Sequence, residues 1–128
     1  MKKGFISTLL SAAFVTVLVF SCTKNSEDKL VPPGTTTCDT TNVSYSSGIT
    51  PILESNCYSC HGNGNTAGSG GILLEGYANL LKWANNGYLV GNVTHAPGYV
   101  PMPYGQPELP ECEVNTIVAW VNQGAQNN

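Results

Sequence analysis

The residues with the most specific chemistry lie in one short segment, Cys57-Tyr58-Ser59-Cys60-His61. Two thiols three positions apart on a helical turn can add to the two vinyl groups of a single haem. The histidine that follows is then held beneath the iron, where its imidazole can be the proximal ligand. The segment therefore predicts one covalently attached haem c per chain, with Cys57, Cys60 and His61 as cofactor-binding residues and His61 as an iron ligand.

Three other interpretations of the paired cysteines stay open at this point. A redox pair of the thioredoxin type needs a βαβ setting, whereas glycines and helical patterns surround this pair. A structural zinc site needs four ligands, and no second pair of cysteine or histidine residues lies nearby in the sequence. A plain disulfide between the two cysteines would not require His61.

A haem iron with six ligands needs a second axial side chain. The thioether sulfur of methionine is a common choice and raises the reduction potential. The second of the two methionines in the chain, Met102, lies in a loop that a proline on each side stiffens. Met102 is therefore the predicted distal ligand. His95 is the alternative, and it would give a bis-histidine haem of lower potential.

The charged residues exclude one class of partner. All five basic residues are lysines, and from Cys38 onward Lys82 is the one lysine against six acidic residues. A nucleic-acid partner requires a basic surface, so nucleic-acid binding is excluded. A mildly acidic surface fits a redox partner protein with a basic docking patch. Because the chain has no arginine to hold haem propionates, the candidate neutral or weak donors are Trp83, Tyr77, Tyr88, Asn92 and His95.

Residues 1–21 have the pattern of a secretory signal peptide. Lys2 and Lys3 precede a short apolar run that ends at Phe20. The run is shorter than the roughly 20 apolar residues that a membrane-spanning helix needs. We therefore predict that the chain is exported.

Ser21-Cys22 resembles the lipobox of bacterial lipoproteins, in which the cysteine becomes the lipidated first residue of the mature protein. Residues 22–37 are polar and rich in threonine and proline, which is typical of a flexible tether. The sequence thus predicts a lipoprotein anchored to a membrane through Cys22, in the periplasm or the outer membrane.

Cysteine usage also predicts a disulfide. Exported domains meet an oxidising compartment in which free thiols rarely persist. With Cys22 assigned to lipid and Cys57 and Cys60 to the motif, Cys38 and Cys112 remain as the natural pair. Two unrelated buried thiols are the alternative.

Residues 38–128 are predicted to form an all-α, loop-rich domain of about three to four short helices. No pattern of alternating apolar residues indicates a strand. A glycine-rich loop covers residues 62–71, and residues 88–110 are predicted to be an irregular loop. The predicted helices run from Pro51, with Thr50 as N-cap, to about Tyr58 or Cys60, from Tyr77 to Ala84, and from about Pro110 to Asn122, with Val114, Ile117, Val118 and Val121 on one apolar face and Gly124 as the stop.

This order of elements resembles the small single-haem cytochrome c domain over about residues 45–125. The segment 109–125 is also similar to the final helix of cytochrome-c-like lipoproteins of Bacteroidetes-type bacteria. The resemblance implies a fold in which the first and last helices cross over the haem edge. It also implies thioethers on Cys57 and Cys60, with His61 below the iron and Met102 above it.

With both axial positions filled, the expected function is outer-sphere electron transfer by a single haem. No paired carboxylates, nucleophile–base pair or phosphate-binding loop indicates an enzyme, so no catalytic residue is predicted. One alternative is a haem-based peroxidase or gas sensor in which Met102 is displaced. Another is a non-haem lipoprotein that binds metal or serves as a structural element.

Overall fold

Short helices joined by loops make up residues 38–128, the part of the chain that the computed structural model describes. Within this range no residue forms a strand, so the predicted all-α class is confirmed for it. The predicted signal peptide, Cys22 and the tether lie outside the described residues. The helical elements are a π-helical turn Tyr45–Ile49, α1 Thr50–Asn56, α2 Tyr58–His61, a 3₁₀ turn Ala67–Ser69, α3 Tyr77–Asn85, α4 Tyr88–Val93 and α5 Glu111–Asn122.

The helix that leads into the cysteine motif begins earlier than predicted and is interrupted inside the motif. The side chain of Ser44 caps the π-helical turn. Thr50 is therefore not the N-cap, and its hydroxyl instead donates to the Tyr45 carbonyl at 3.0 Å. At Cys57 the backbone leaves helical geometry, with φ −122°, which separates α1 from α2. The motif thus lies at the junction of two short helices and not at the end of one.

The predicted helices α3 and α5 are confirmed to within one residue at each end. The buried side of α5 consists of Val114, Ile117 and Trp120. Val118 and Val121, which the sequence places on the same face, are only partly buried. The buried side of α5 is therefore centred nearer to Trp120 than the sequence predicts. The large indole ring of Trp120 is fully enclosed, and its Nε1–H donates to a backbone carbonyl at 3.0 Å.

The prediction of an irregular loop over residues 88–110 is wrong in its first part, because Tyr88–Val93 form α4. Leu89 and Val93 lie four positions apart and are both buried, which is the spacing of one helix face. Gly91 between them is also buried, and the ring of Tyr99 lies against it. A Cβ at position 91 would overlap that ring. Glycine is therefore needed for the chain beyond α4 to fold back onto the helix.

Replacing Gly91 with alanine is expected to lower the free energy of unfolding by about 1 kcal/mol. Alanine favours a helix over glycine by about 1 kcal/mol, but overlap in a packed site costs about 1–3 kcal/mol and displaces the Tyr99 ring. Denaturant unfolding measures the difference. Gly68→Ala is the matched control, since nothing lies within 4 Å of a Cβ added there. A Gly91→Ala variant as stable as the parent would contradict this packing.

The core lies where the first helical segment meets α5. Its fully buried side chains come from the π-helical turn, α1, α3 and α5. The ring of Tyr45 packs against Trp120 at a centroid distance of 5.9 Å and edge-on against Tyr77 at 5.3 Å. The first and last helical segments are therefore in direct contact. The five largest fully buried residues are Trp120, Ile49, Leu53, Leu80 and Ile117.

The predicted cysteine pair joins the start of the described chain to α5. The Sγ atoms of Cys38 and Cys112 lie 2.08 Å apart, at bonding distance. A link across 74 residues is expected to stabilise the fold by roughly 4 kcal/mol in the chain-entropy model. The link fixes the first turn of α5, from which Glu113 faces the cysteine motif.

Candidate functional site

A cavity of about 610 Å³ lies between the α1–α2 junction and the loop that follows α4. Its volume falls within the range of roughly 300–1,000 Å³ that is typical of ligand and cofactor sites. All four predicted binding residues border it, three from the cysteine motif and one from the loop. The lining residues are Asn56, Cys57, Ser59, Cys60, His61, Gly68, Ser69, Val93, Val100, Met102, Pro103, Tyr104, Gln106 and Leu109.

A second, smaller cavity of about 50 Å³ adjoins the first. His61, Val93 and Met102 border both cavities. The proximal and distal ligand candidates thus face the same space, which is what a pair of axial ligands requires. The other residues around the smaller cavity are Ile72, Leu74, Trp83, Leu89 and Asn92.

His61 is buried, and both its ring and its backbone are held by one neighbouring segment. Its Nδ1 lies 3.0 Å from the Ile72 carbonyl oxygen, and its own carbonyl accepts a hydrogen bond from the Leu74 N–H at 2.9 Å. A carbonyl oxygen only accepts, so Nδ1 must carry the proton of this hydrogen bond. In the neutral ring the lone pair is then on Nε2, the arrangement that metal-binding histidines use.

The turn directly after His61 is fixed by its neighbours. The carboxylate of Glu75 accepts a hydrogen bond from the Asn63 N–H at 2.6 Å. A Cβ at Gly62 would lie too close to the Tyr58 carbonyl, so glycine is needed there. These contacts hold the end of α2 and with it the orientation of His61.

Cys57 and Cys60 are free thiols on the cavity wall, Cys57 partly buried and Cys60 exposed. Burial raises the pKa of Cys57 to about 11, and the negative charge of Glu113 adds to the shift. Reactive cysteines of redox pairs have lowered pKa values instead. Within residues 38–128, no three side chains among His, Cys, Asp and Glu converge in a way that could hold a metal ion.

The loop with Met102 is tied to the end of α4 through both the N–H and the carbonyl of Met102. The Met102 N–H donates to the Asn92 carbonyl at 3.0 Å. The Met102 carbonyl lies 3.1 Å from Nε2 of His95, which donates to it. The structure thus places Met102 on the wall of both cavities, whereas His95 borders neither of them.

The candidate propionate donors are only partly brought to the site. Trp83 and Asn92 border the smaller cavity. The Tyr77 hydroxyl donates instead to the Ala125 carbonyl at 2.9 Å, and Tyr88 and His95 border neither cavity.

Four polar side chains around the larger cavity were not anticipated from the sequence. Two of them lie directly before or inside the cysteine motif, whereas the other two reach the cavity only through the way the loops fold back. Among the described residues, the Oδ1 atom of Asn92 is the one buried side-chain oxygen or nitrogen without a hydrogen-bond partner. The four unanticipated residues are Asn56, Ser59, Ser69 and Gln106.

Tyr58, inside the motif, gives the fold a dependence on alkaline pH. Burial raises its pKa to about 12, with smaller contributions from the nearby Tyr45 and acidic side chains. An unfolded tyrosine ionises near pH 10 while the folded one stays neutral to about pH 12, so stability falls across that range. Between pH 9 and pH 11.5, the denaturant midpoint should fall less in Tyr58→Phe than in the parent. Tyr104→Phe, at a largely exposed tyrosine, is the control and should drop as the parent does.

No helix within residues 38–128 combines the length and the apolar character needed to cross a membrane. No protein-family model matches the chain, and neither a curated protein nor a solved structure matches it.

Proposed function

We propose that this chain is a c-type cytochrome that transfers electrons one at a time through a single covalently bound haem. The observation that carries the proposal is the cavity of about 610 Å³ with Cys57, Cys60 and His61 on one wall and Met102 on another. The donor set fits the cofactor: two free thiols for the vinyl groups, one imidazole and one thioether for the iron.

Each residue has a separate role in this proposal. Cys57 and Cys60 hold the porphyrin through thioether bonds, and Nε2 of His61 is the proximal ligand because Ile72 occupies Nδ1. The Met102 sulfur is the distal ligand. Bound haem supplies a one-electron Fe(III)/Fe(II) couple. The contacts around His61 and Met102 keep both ligands in place, so that little moves when the charge on the site changes.

The buried apolar lining is expected to set the potential together with the ligands. Val93 and Leu109 border the larger cavity, Leu74 and Leu89 border the smaller one, and all four are buried. A methionine ligand and a dry surrounding both favour the reduced, less charged state. We therefore expect a potential above that of a bis-histidine haem in the same cavity.

We further propose that the domain works outside the cytoplasm, on a lipid anchor at Cys22. The Cys38–Cys112 pair at bonding distance is in keeping with an oxidising compartment. The partner is a redox protein, and the six acidic residues against one lysine from Cys38 onward favour a basic docking surface on it. The periplasm and the periplasmic or outer face of the outer membrane are both consistent with this arrangement.

The test is expression of the full chain with a bacterial haem-attachment system. Mass spectrometry of the mature protein should show the polypeptide plus one haem. The reduced protein should have a low-spin c-type spectrum that carbon monoxide changes only slowly, because Met102 must first move away from the iron. A chain without added haem would overturn the proposal. A rapid and large spectral change with carbon monoxide would favour the peroxidase or gas-sensor alternative, in which the distal ligand is displaced.

A further inference from the structure

Helix α4 ends in a specific hydrogen-bonded arrangement with His95 at its turning point. The Ala96 N–H donates to the Gly91 carbonyl at 3.0 Å, and the His95 N–H donates to the Asn92 carbonyl at 3.3 Å. This pair of bonds is the Schellman motif, in which the residue just past the helix cap adopts a left-handed conformation. His95 has φ 49°.

The end of α5 repeats the arrangement with a different residue at the same place. There Gly124 N–H donates to Val121 at 3.0 Å, and the next N–H donates to Trp120 at 2.9 Å. Gly124 has φ 94°. Glycine is the usual residue here because a side chain strains the left-handed conformation. The histidine at the end of α4 therefore adopts a backbone conformation that glycine could adopt without strain.

The side chain of His95 makes a contact that glycine could not. Its Nε2–H donates to the Met102 carbonyl at 3.1 Å. The Met102 N–H donates to the Asn92 carbonyl, which lies in the last turn of the same helix and also accepts from the His95 N–H. The end of α4 thus holds the backbone of Met102 from both sides, and His95 supplies one of the two bonds.

We propose that His95 is a positioning residue that holds the Met102 loop against the cavity, and that it is not itself an iron ligand. The inference rests on the proposed function, since the position of Met102 matters for the potential only if its sulfur is the distal ligand. His95 then acts through Met102 by reducing how often the loop moves away from the cavity.

Three variants of the holoprotein separate this role from a general effect on folding. His95→Gly removes the imidazole and suits the left-handed backbone. His95→Asn also tolerates that conformation but is too short to reach Met102. His95→Gln carries an N–H donor on a longer side chain. The readouts are the rate of carbon monoxide binding to the ferrous protein, which requires Met102 to move away, the reduction potential and the thermal midpoint.

We expect His95→Gly and His95→Asn to bind carbon monoxide about fivefold faster than the parent, as the loss of one hydrogen bond implies. His95→Gln should restore the parent rate to within about twofold. The reduction potential should fall in His95→Gly and His95→Asn and recover in His95→Gln. The thermal midpoints of the three variants should not follow the same order as their potentials.

Equal rates in the parent and all three variants would overturn the inference, as would an equal increase in all three. A low-spin spectrum that survives Met102→Ala but is lost in His95→Gly would show that His95 is the ligand. These outcomes would contradict only the role assigned to His95, and the proposed function as a haem protein would still hold. A parent chain without covalent haem removes the proposed function itself.

Discussion

A chain in which Cys57 and Cys60 are both replaced by serine is expected to carry no covalent haem and to lose most of its stability. Serine hydroxyls cannot form the thioethers, so the porphyrin would no longer be retained under denaturing conditions. The same residues border a cavity of about 610 Å³ beside a small core. Loss of haem is therefore also a loss of packing.

The size of the effect follows from the contribution of a bound cofactor to stability. A small domain has only about 5–15 kcal/mol of stability in total. A cofactor that binds only the folded chain adds about 4 kcal/mol when it is present at a thousandfold its dissociation constant, so haem in this cavity is expected to supply a large share of the stability. We therefore expect the double variant to lose cooperative thermal unfolding, while the Cys38–Cys112 link still restrains the chain.

Ser59→Ala is the matched control for the double serine variant. Ser59 lies between the two cysteines, is exposed and borders the same cavity. Its replacement should leave haem attachment and the thermal midpoint unchanged. Mass spectrometry and circular dichroism of all three proteins decide the matter. Covalent haem on the double variant, or an unchanged unfolding transition without haem, would contradict the assigned role of the motif.

The parts of this molecule that the sequence predicts well are the parts that depend on near neighbours. The periodic apolar residues of α5 and the glycine after it locate that helix because helix faces and caps are set within a few turns. The cysteine motif is likewise local, since its chemistry depends on the spacing of three side chains. The helix is confirmed, and the prediction of haem attachment likewise needs no knowledge of the rest of the fold.

The errors arise where distant residues decide the local structure. The glycine at position 91 argues against a helix, yet α4 forms. The residue at this position is glycine because the Tyr99 ring occupies the space of a Cβ. His95 was a candidate ligand or propionate donor, and its contact with Met102 depends on how the chain returns to α4. No residue pattern encodes such a contact, because it joins two places through the path of the whole loop.

The hydrogen bond between His61 and Ile72 is another feature that the sequence does not reveal. The motif predicts a proximal histidine but not which ring nitrogen faces the iron. The glycine-rich loop, predicted only as irregular, returns the chain so that the Ile72 carbonyl accepts from Nδ1. If the chain binds haem as proposed, the loop selects the ring nitrogen available to the iron, and a segment whose regular structure is the short turn Ala67–Ser69 then has a functional role.

Replacing Met102 with leucine is expected to have the largest effect on the chemistry of the holoprotein. Leucine has a similar volume and keeps the cavity wall, but it has no sulfur to bind iron. The ferrous protein should then bind carbon monoxide at least about a hundredfold faster than the parent, and its potential should fall by on the order of 100 mV, part of the roughly 0.8 V that axial ligands can span.

Two further variants test whether the sulfur is responsible. Met102→His offers an imidazole from the same position and should restore slow carbon monoxide binding, at a potential below that of the parent. Val100→Ala alters another residue of the same wall without any ligand and should leave both properties near those of the parent. Redox titration and stopped-flow mixing with carbon monoxide provide the measurements.

The result of these variants also decides between electron transfer and ligand chemistry. If Met102→Leu binds carbon monoxide at the expected much higher rate, the sulfur in the parent blocks the sixth position, and electron transfer is the chemistry open to the iron. If the parent already binds carbon monoxide as fast as Met102→Leu, the sixth position is open to small molecules. The cavity beside Met102, bordered by Trp83 and by the unpartnered Asn92 oxygen, would then be the place where such a molecule meets the protein.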